Sequence, residues 1–554
     1  MLRRDFLSAS SLVMGMSSAS LVSAAPLMTA HGVGTAKNIL DYNAIPDGKT
    51  LNTKAIQRAI DEVFQAGGGL VYAPPGTFLI GGLELKSRVT LYVEAGCVLL
   101  GSPNLSDYEY HLGLPRGGSD IDGYHVIFAR GAEDISLCGL GTVDGNGEAW
   151  WEPNPDRPPA PPDQAWHDVA SGHYQAKYNN TRPSPMVEIV ACHNVRISGV
   201  TLKNSSGWTL RPINCETVFI DGVRIRNPFY GRNTDGMDIT SCRNVFVSNC
   251  DIIGGDDAIC LKSENSYGSE VQPTKNITIT NCVVSSASNG FKMGTATGGV
   301  FENIVFSNSV IYSDNGSPMM NRVIGGINIE TVDGGSVDGV IVSNIRMQNV
   351  RAPIFVRLGS RKKGEDSFLR NVLIEGVDST GSIITSSITG VPGLRPTDVT
   401  ISNCRLRTVE QGQPDWIHRE IPEVAEHYPE SWMMGRLPAY GFYVRHADRV
   451  RPRNLEVITD QLDARPAIVC DDVDDIILAG LELSAPSGPA PLFDLRNTRR
   501  AFLTGMRSPL GNNVFTQVGG AGSHRIALLG NSLNRGQKAV SYVDGASEEA
   551  TTIS

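Results

Sequence analysis

The sequence lacks several features that would point to common classes of function. Its ten cysteines include no Cys-x-x-Cys pair, so a structural zinc site is not indicated. It has no stripe of lysine and arginine interleaved with aromatic residues, and its formal net charge is −10, so we expect no nucleic-acid partner. No motif requires a metal ion or a cofactor, and we expect neither.

Long apolar runs are also missing. Beyond the N-terminus no stretch approaches the ~18 to 20 apolar residues that cross a bilayer, so we expect no membrane span in the mature protein. The N-terminus reads Met1-Leu-Arg-Arg-Asp-Phe-Leu7 and has a small-residue site at residues 22–24. This pattern resembles a twin-arginine export signal and assigns residues 1–24 to a leader. We therefore expect a periplasmic or extracellular protein.

One short unit recurs from residue 192 onward. Each copy alternates apolar and polar residues, as in Asn244-Val-Phe-Val-Ser-Asn-Cys250, and successive copies begin 23 to 36 residues apart. Strands of near-constant pattern joined by spacers of variable length are typical of a solenoid, and neither the leucine-rich nor the propeller signature recurs. We predict an all-β protein, a right-handed parallel β-helix that forms a single domain over residues 36–545.

The ends and the interruptions of the repeat carry further information. Residues 52–64 have apolar side chains at helical spacing and end at a run of glycines, so we predict a short N-terminal helix that caps the stack.

Two long interruptions, residues 150–182 and 410–438, contain several aromatic residues. Such side chains can stack on sugar rings, so we expect a functional role, although simple loop packing is the alternative.

The cysteines follow the repeat. Cys192, Cys215 and Cys242 each begin a similar segment, which places them at one corner of successive coils. Free cysteine is among the most buried residue types, so we favour a stack of buried thiols. Disulfide bonds, which an exported protein could form, are the alternative.

The densest group of acidic residues lies between residues 233 and 262, where five aspartates occur in thirty positions. Asp235 stands in Asn-Thr-Asp and is 21 residues upstream of Asp256, which is followed by Asp257 in Gly-Gly-Asp-Asp. Because 21 residues is about one coil, Asp235 is expected to stack beside the other two. A solvated turn is the alternative, since aspartate and glycine favour turns. Three carboxylates brought together indicate paired acid and base chemistry.

These motifs resemble glycoside hydrolase family 28, the polygalacturonase and rhamnogalacturonan hydrolase family of β-helical enzymes. The resemblance covers most of the mature chain and is carried by residues 55–76, 139–151, 204–208, 233–236 and 255–257. It implies an inverting mechanism in which Asp256 is the general acid, while Asp235 and Asp257 hold and deprotonate the attacking water. Inverting glycosidases generally separate acid and base by about 6.5–9.5 Å. Mutual repulsion is also expected to raise the pKa of at least one of the carboxyls.

The chain departs from the family at two positions. Where the family has Gly-His-Gly, this chain has Asn289, which cannot carry a proton but can orient a carboxylate or a sugar hydroxyl. We expect Asn289 and Asn233 to contact substrate.

The second departure concerns the cations that grip a uronate. The family's Arg-x-Lys is absent from residues 325–330, and Glu330 would repel a uronate if it faced the subsite. Lys292 or Arg357 is a candidate replacement. Lys262 either offsets the charge of the aspartates or is solvated in a turn.

The resemblance therefore implies an inverting hydrolase of a pectin-type, plant cell-wall polysaccharide or oligosaccharide, with a rhamnose or galacturonate cleaved from the chain end. The long interruptions, which could close one end of the cleft, support the hypothesis of exo action. One alternative is a β-helical lyase, in which the carboxylates would hold Ca²⁺. Another is a carbohydrate-binding β-helix that has lost catalysis. The sequence leaves the oligomeric state open.

Overall fold

The structure is a computed structural model that describes residues 35–111, 122–161, 163–178, 181–264, 271–362, 364 and 367–554. The export signal assigned to residues 1–24 lies outside the described residues. Residues Thr35–Ser554 form one compact unit. No helix among the described residues has the length and apolar character needed to cross a membrane.

The described residues form one α-helix, α1 (Thr53–Gln65), and forty-one strands. The N-terminal strands are β1 Thr35–Asn38, β2 Asp47–Leu51, β3 Gly69–Ala73, β4 Gly76–Ile80, β5 Leu83–Glu84, β6 Val89–Val93, β7 Cys97–Gly101, β8 Ile127–Arg130, β9 Glu133–Gly139, β10 Thr142–Asp144, β11 Trp151–Pro153 and β12 Tyr174–Ala176. The central strands are β13 Val187–Val190, β14 His193–Ser198, β15 Thr201–Lys203, β16 Leu210–Ile213, β17 Glu216–Asp221, β18 Arg224–Arg226, β19 Met237–Thr240, β20 Arg243–Ser248, β21 Asp251–Gly254, β22 Ile259–Ser263, β23 Thr274–Thr280, β24 Val283–Ser286, β25 Phe291–Thr297, β26 Val300–Tyr312, β27 Gly325–Thr331, β28 Ser336–Gln348 and β29 Ala352–Leu358. The C-terminal strands are β30 Phe368–Ser382, β31 Ser386–Thr389, β32 Thr397–Thr408, β33 Phe442–Thr459, β34 Ile468–Ala479, β35 Glu482–Leu483, β36 Phe493–Arg496, β37 Arg499–Thr504, β38 Val514–Gly519, β39 Ile526–Leu529, β40 Lys538–Val543 and β41 Thr551–Ile553.

Strands of successive coils pair in parallel and in register. One interior column runs through the repeat, with each apolar residue opposite the next: Val195, Val218, Val245, Ile277, Ile304, Val340, Val372, Val399 and Val450. All of these side chains are buried, so the stack encloses a continuous apolar core. The predictions of an all-β parallel β-helix and of an N-terminal helix are confirmed.

The asparagine that opens many copies of the repeat has a structural reason. Asn244, Asn276 and Asn303 all adopt a left-handed backbone conformation, with φ of 57°, 56° and 55°. Asparagine tolerates this conformation better than most residues do. Its side chain also donates to the asparagine of the preceding coil, at 3.0 Å from Asn276 to Asn244 and 3.0 Å from Asn303 to Asn276. The repeated asparagine therefore turns the chain and links adjacent coils.

Helix α1 covers the N-terminal end of the stack. Its buried face, which includes Ile56, Ile60 and Val63, packs against β3 and β6. The chain then returns through Gly69, where an added Cβ would lie 2.1 Å from the Thr35 carbonyl oxygen. Only glycine allows this close approach of β3 to β1.

The ten cysteines are free thiols, and nine of them are buried. Backbone N–H groups of successive coils point at the sulfur atoms: Cys192 N lies 3.4 Å from Cys215 Sγ, and Cys215 N lies 3.3 Å from Cys242 Sγ. The predicted stack of buried free thiols is confirmed.

Two insertions leave the coils. The first insertion, residues 150–182, contains the antiparallel pair β11–β12. The second insertion, residues 410–438, has no strand among its residues and contains one short 3₁₀ turn, Pro414–Trp416. Its buried residues join a separate apolar cluster outside the coils: Phe355, Ile421, Met434, Leu437, Ala439, Tyr443 and Val469. The second insertion is therefore packed against the outer face of the β-helix.

Candidate active site

The aspartate motifs lie in turns of two adjacent coils. Asp235 precedes β19, and Asp256 and Asp257 lie between β21 and β22. Because β19 and β22 pair in parallel, the segments that lead into them are neighbours, and Gly236 N donates to the Asp257 carbonyl at 2.8 Å. Gly255 permits the contact, since an added Cβ there would lie 2.4 Å from Thr234 Oγ1. The expectation that a one-coil spacing brings the two motifs together is therefore met.

The three carboxylates share one wall of a cavity of about 280 Å³. Each offers an oxygen, and these oxygens lie within 4.8 Å of one another. Asp235 and Asp257 are buried and Asp256 is partly exposed. The remaining lining residues are Trp208, Asn233, Lys262, Glu264, Thr295, Ala296, Arg361 and Tyr428.

The spacing of the carboxylates is shorter than the general expectation for inversion. Nearest oxygens lie within 4.8 Å, whereas the carboxyl groups of inverting enzymes are generally about 6.5–9.5 Å apart and those of retaining enzymes about 5–5.5 Å. The close spacing arises because Asp235 and Asp257 belong to adjacent coils, whose strands lie ~4.8 Å apart. The distance alone therefore does not support an inverting mechanism, which rests on the family resemblance of the motifs.

The two buried aspartates have opposite electrostatic environments. Burial raises the pKa of Asp235 well above its usual range, and Asp238, Asp256 and Asp257 raise it further. Burial would also raise the pKa of Asp257, but Lys292 and Lys262 outweigh it and lower that pKa below its usual value. The site therefore favours a proton on Asp235 and a negative charge on Asp257.

Four donors hold the carboxylate of Asp257. Lys292 Nζ lies 3.2 Å from Asp257 Oδ2. On the other oxygen, Oδ1, Ser288 Oγ donates at 2.9 Å, Asn289 Nδ2 at 2.7 Å and Asn289 N at 3.2 Å. Hydrogen bonds to the ionised form strengthen the preference for negative charge.

Asn289, which stands where the family has histidine, is fully buried. Its Oδ1 accepts from Gly325 N at 3.1 Å and from Asn328 Nδ2 at 2.8 Å, so the Nδ2 group is turned toward Asp257. Asn289 thus orients the carboxylate and does not line the cavity. Asn233 does line it, and its Oδ1 is buried without a hydrogen-bond partner among the described residues.

Lys262 lies on the cavity wall and is not a solvated turn residue. Its Nζ is 3.4 Å from Asp238 Oδ1 and 4.7 Å from the centre of the Trp208 ring. Burial would lower the pKa of Lys262, but nearby acidic groups, including Asp238 and Asp235, raise it well above its usual value. Burial raises the pKa of Asp238 to about 7, against the opposing effect of Lys262. Lys262 therefore remains charged and offsets part of the acidic cluster.

Glu330 and Arg357 lie away from the cavity, which corrects the expectation that they contact substrate. Glu330 is fully buried, and burial raises its pKa well above the usual range, which favours its neutral form and weakens its repulsion of an anion. Arg357 is buried on the outer side, where it donates to the carbonyls of Gly390 at 2.9 Å and Glu423 at 2.7 Å. Its guanidinium holds the second insertion in place.

Several residues at the site were missed by the sequence analysis, among them one arginine, one tyrosine and one glutamate. Arg361 lines the cavity, with Nε 2.7 Å from Asp333 Oδ1 and Nη2 2.6 Å from Asp333 Oδ2. Tyr428 also lines it, and Glu430 lies behind it, with Oε1 3.4 Å from Lys292 Nζ. Only Tyr428 had a signal in the sequence, as an aromatic residue in a long interruption. No spacing rule relates Arg361 or Glu430 to the aspartates.

The two insertions contact each other through aromatic and guanidinium groups. The guanidinium of Arg436 lies 4.1 Å from the centre of the Trp166 ring, and His167 lies 6.4 Å from Trp432, centre to centre. Arg351, which follows β28 on the coil, donates to the Trp166 carbonyl at 3.1 Å. These contacts join the first insertion to the segment that carries Tyr428 and Glu430.

The three carboxylates could supply oxygen ligands to a divalent cation. The ammonium of Lys292, however, already lies 3.2 Å from Asp257 and supplies positive charge at the same place. The donor set therefore fits a charge-compensated acid–base site better than a metal centre.

Comparison with known proteins gives two family matches. The profile of "Glycosyl hydrolases family 28" matches residues 118–413, and that of "Rhamnogalacturonase A/epimerase, pectate lyase-like" matches residues 36–104. Among curated proteins, the chain is 32% identical over 253 residues to a probable polygalacturonase of Vitis vinifera, covering 44% of this chain and 48% of that protein. It is 26% identical over 399 residues to an exo-poly-alpha-D-galacturonosidase of Dickeya chrysanthemi, covering 64% of each. The chain thus spans about half to two thirds of the length of these relatives.

Two solved structures share the fold. An exopolygalacturonase from Thermotoga maritima superposes with a TM-score of 0.59 at 23% identity, over 76% of this chain and 91% of that one. A family 28 exopolygalacturonase from Yersinia enterocolitica gives a TM-score of 0.60 at 20% identity, over 81% of this chain and 78% of that one. At these identities the likeness establishes the β-helical architecture.

Proposed function

The chain belongs to glycosyl hydrolase family 28, and from this premise we propose that it is an inverting glycosidase that removes galacturonate-type sugars from the end of a pectin chain. The observation that carries the proposal is the grouping of Asp235, Asp256 and Asp257 on one cavity wall, with Asp257 held as an anion. Relatives named as polygalacturonases support the choice of substrate.

In this mechanism the three aspartates have separate roles. Asp256, the most exposed of the three, protonates the glycosidic oxygen as the bond from that oxygen to the anomeric carbon breaks. A water molecule attacks the same carbon from the opposite face, and the ionised Asp257 takes its proton. Asp235, which favours its protonated form, donates a hydrogen bond that holds the water. The proton gained by Asp257 returns to Asp256 through solvent before the next turnover.

Arg361 is the cation that we assign to the sugar carboxylate. Its Nε and Nη2 groups are bound to Asp333, which leaves Nη1 without a protein acceptor among the described residues. Lys262 contributes a second positive charge on the same cavity. Glu330 does not line the cavity, and its raised pKa favours the neutral form, which weakens the repulsion that had argued against a uronate. A planar guanidinium suits recognition of a carboxylate, so we expect preference for an anionic sugar.

Exo action is supported by the contact between the two insertions. Trp166 of the first and Arg436 of the second are in direct contact, and the second insertion also carries Tyr428, which lines the cavity. We expect the joined insertions to block a polysaccharide that runs past the carboxylates in both directions and to admit a chain end.

The proposal is tested with homogalacturonan, rhamnogalacturonan oligosaccharides and neutral aryl glycosides, using wild type and Asp256→Asn. We expect wild type to release monosaccharide from galacturonan early in the reaction, and the variant to lose activity by roughly 10²- to 10⁴-fold. Early release of mixed oligosaccharides would contradict exo action. Release from rhamnogalacturonan alone would move the assignment to rhamnose-containing chains, which the short N-terminal profile match favours. An unsaturated uronide product, detected by its absorbance, would indicate a lyase.

Export through a twin-arginine signal at residues 1–24 is a further part of the proposal. We expect the mature enzyme in the periplasm or outside the cell. Replacing Arg3 and Arg4 with lysines should retain the enzyme in the cytoplasm, as measured by fractionation.

A further inference from the structure

Behind the cavity wall, a lysine is enclosed by acidic groups. Lys292 has no exposed surface, and its Nζ lies 3.2 Å from Asp257 Oδ2, 3.4 Å from Glu430 Oε1 and 3.2 Å from the hydroxyl of Tyr428. A buried ammonium is costly unless it is paired and hydrogen-bonded, so these contacts fix the ion in one place. Lys292 comes from β25, whereas Tyr428 and Glu430 come from the second insertion.

We propose that Lys292 is the positioning residue that keeps Asp257 ionised as the base, and that Glu430 and Tyr428 of the second insertion hold Lys292 in place for this role. The inference rests on the proposed function, because it assigns a source for the charge state of the catalytic base. It also gives the second insertion a part in the chemistry in addition to its part in closing the site.

The geometry distinguishes Lys292 from the other groups around Asp257. Asn289 and Ser288 bind the opposite oxygen, Oδ1, and neither carries charge. Lys262 is charged and also lowers the pKa of Asp257, but its ion pair is with Asp238, at 3.4 Å. Among the described residues, Lys292 is the cation in salt-bridge contact with Asp257. Its removal therefore leaves a buried carboxylate with neutral donors and the more distant charge of Lys262.

The charges around Asp257 set the direction of the effect. The acidic groups that interact with this cluster are Asp235, Asp238, Asp256, Glu330 and Glu430. Lys262, Tyr428 and Cys260 also face it. Those of these acids that are ionised oppose a second negative charge nearby, and so does burial. Without Lys292 the balance reverses, and Asp257 favours its protonated form.

The test compares Lys292→Met with wild type and with Lys275→Met, a matched change in an exposed lysine that pairs with Glu302 on the outside of the coils. On the galacturonide substrate we expect the acid limb of the kcat/KM profile of Lys292→Met to move upward by about one to three pH units. Lys275→Met should keep the wild-type profile. Lys292→Arg, which keeps the charge, should keep the wild-type acid limb even where kcat falls.

Glu430→Gln changes the charge near Asp257 in the opposite direction from Lys292→Met. It removes a negative charge near Asp257 but keeps an oxygen that can accept from Lys292, so the acid limb should stay in place or move to lower pH. An upward shift in Glu430→Gln, or an unmoved acid limb in Lys292→Met with only kcat reduced, would overturn the inference and leave Lys292 a purely structural residue.

A measurement without substrate separates this inference from the proposed function. In wild type, the depressed pKa of Asp257 contributes stability that is present above the unfolded pKa and is lost as pH falls through the folded pKa. In Lys292→Met, burial instead penalises the ionised form, so the variant loses stability as pH rises. We expect the difference in unfolding midpoint between wild type and Lys292→Met to be small at pH 3 and to grow toward pH 7. A deficit independent of pH would overturn the inference, even if no glycan is cleaved.

Discussion

The coil and the second insertion bring side chains to the same cavity by different means. The coil that carries the aspartates is held by parallel backbone pairing, with β19 opposite β22 and β22 opposite β25. The second insertion has no strand, and arginines of the coils bind its backbone carbonyls instead. These contacts run from Arg357 to Glu423, from Arg445 to Ile421, from Arg465 to Leu437 and from Arg496 to Ile417.

This difference determines how each half of the site responds to mutation. Backbone pairing is spread over many residues, so no single side chain on the coil determines where the aspartates lie. The insertion depends on a few guanidinium groups, buried or partly buried, that donate to its backbone carbonyls. We therefore expect coil substitutions at the site to change chemistry without loss of structure, and arginine substitutions to release the insertion.

The largest expected effect is on catalysis by the coil. Asp257→Asn should lower kcat by roughly 10²- to 10⁴-fold, because the amide cannot accept the proton of water. Its unfolding midpoint should fall, because the buried Lys292 loses an ion-pair partner, but the coil should keep its fold. Asp251→Asn is the matched control, since Asp251 lies on the same coil but pairs with Arg226 near the surface. Equal losses in the two variants would show that the coil, and not the carboxylate, had been damaged.

The next effect concerns the anchor of the second insertion. Arg465 is buried and binds both ends of the insertion, with Nη2 3.1 Å from Glu410 Oε2 and Nη1 3.1 Å from the Leu437 carbonyl. Arg465→Met leaves Glu410 and Asp463 as buried acids without this partner, which should reduce the free energy of unfolding by about 3–5 kcal/mol. Urea denaturation measures the change.

An exposed arginine on the coil gives the comparison for that variant. Arg370 pairs with Asp338 on the outer surface at 2.7 Å. Because exposed pairs are worth about 0–1 kcal/mol, Arg370→Met should change the unfolding free energy by no more than that. Similar values for the two arginine variants would contradict the proposed difference between coil and insertion.

The smallest expected effect is at the contact between the two halves. Tyr428→Phe removes the hydroxyl that lies 3.2 Å from Lys292 Nζ and keeps the ring. Loss of one hydrogen bond to a charged group costs about 1.5–3 kcal/mol, so kcat/KM should fall by roughly 10- to 150-fold. Tyr178→Phe, in an exposed part of the first insertion, should have no effect. An unchanged kcat/KM in Tyr428→Phe would show that the coil half works without this contact.

The same difference explains what the sequence could predict. The repeat begins with asparagine because each coil turns through a left-handed residue, so the β-helix was visible as a pattern of local rules. The spacing of 21 residues between Asp235 and Asp256 matched one coil, and the structure brings the two motifs to one cavity. Both predictions used contacts between neighbouring coils, which keep a fixed relation to the sequence.

Contacts across the insertions have no such relation. Glu430 lies 138 residues from Lys292, and nothing in the spacing indicates that they touch. Glu330 was expected to repel a uronate, and this expectation failed. The burial that raises its pKa depends on the packing of β27, which the sequence does not reveal. Arg357 was expected at the substrate for the same reason, and it binds the carbonyls of the insertion instead. Arg361 was missed because it follows β29 and reaches the cavity through its side chain alone.

The central claim is that three coil-borne aspartates hydrolyse an α-linked galacturonide with inversion. Proton NMR of the anomeric region, recorded during the first minutes of reaction with wild type and an oligogalacturonide, tests it most directly. We expect the β-anomer of the released sugar to appear first and the α-anomer to follow only by mutarotation. First appearance of the α-anomer would contradict inversion and point to the retaining chemistry that the short carboxylate spacing also permits.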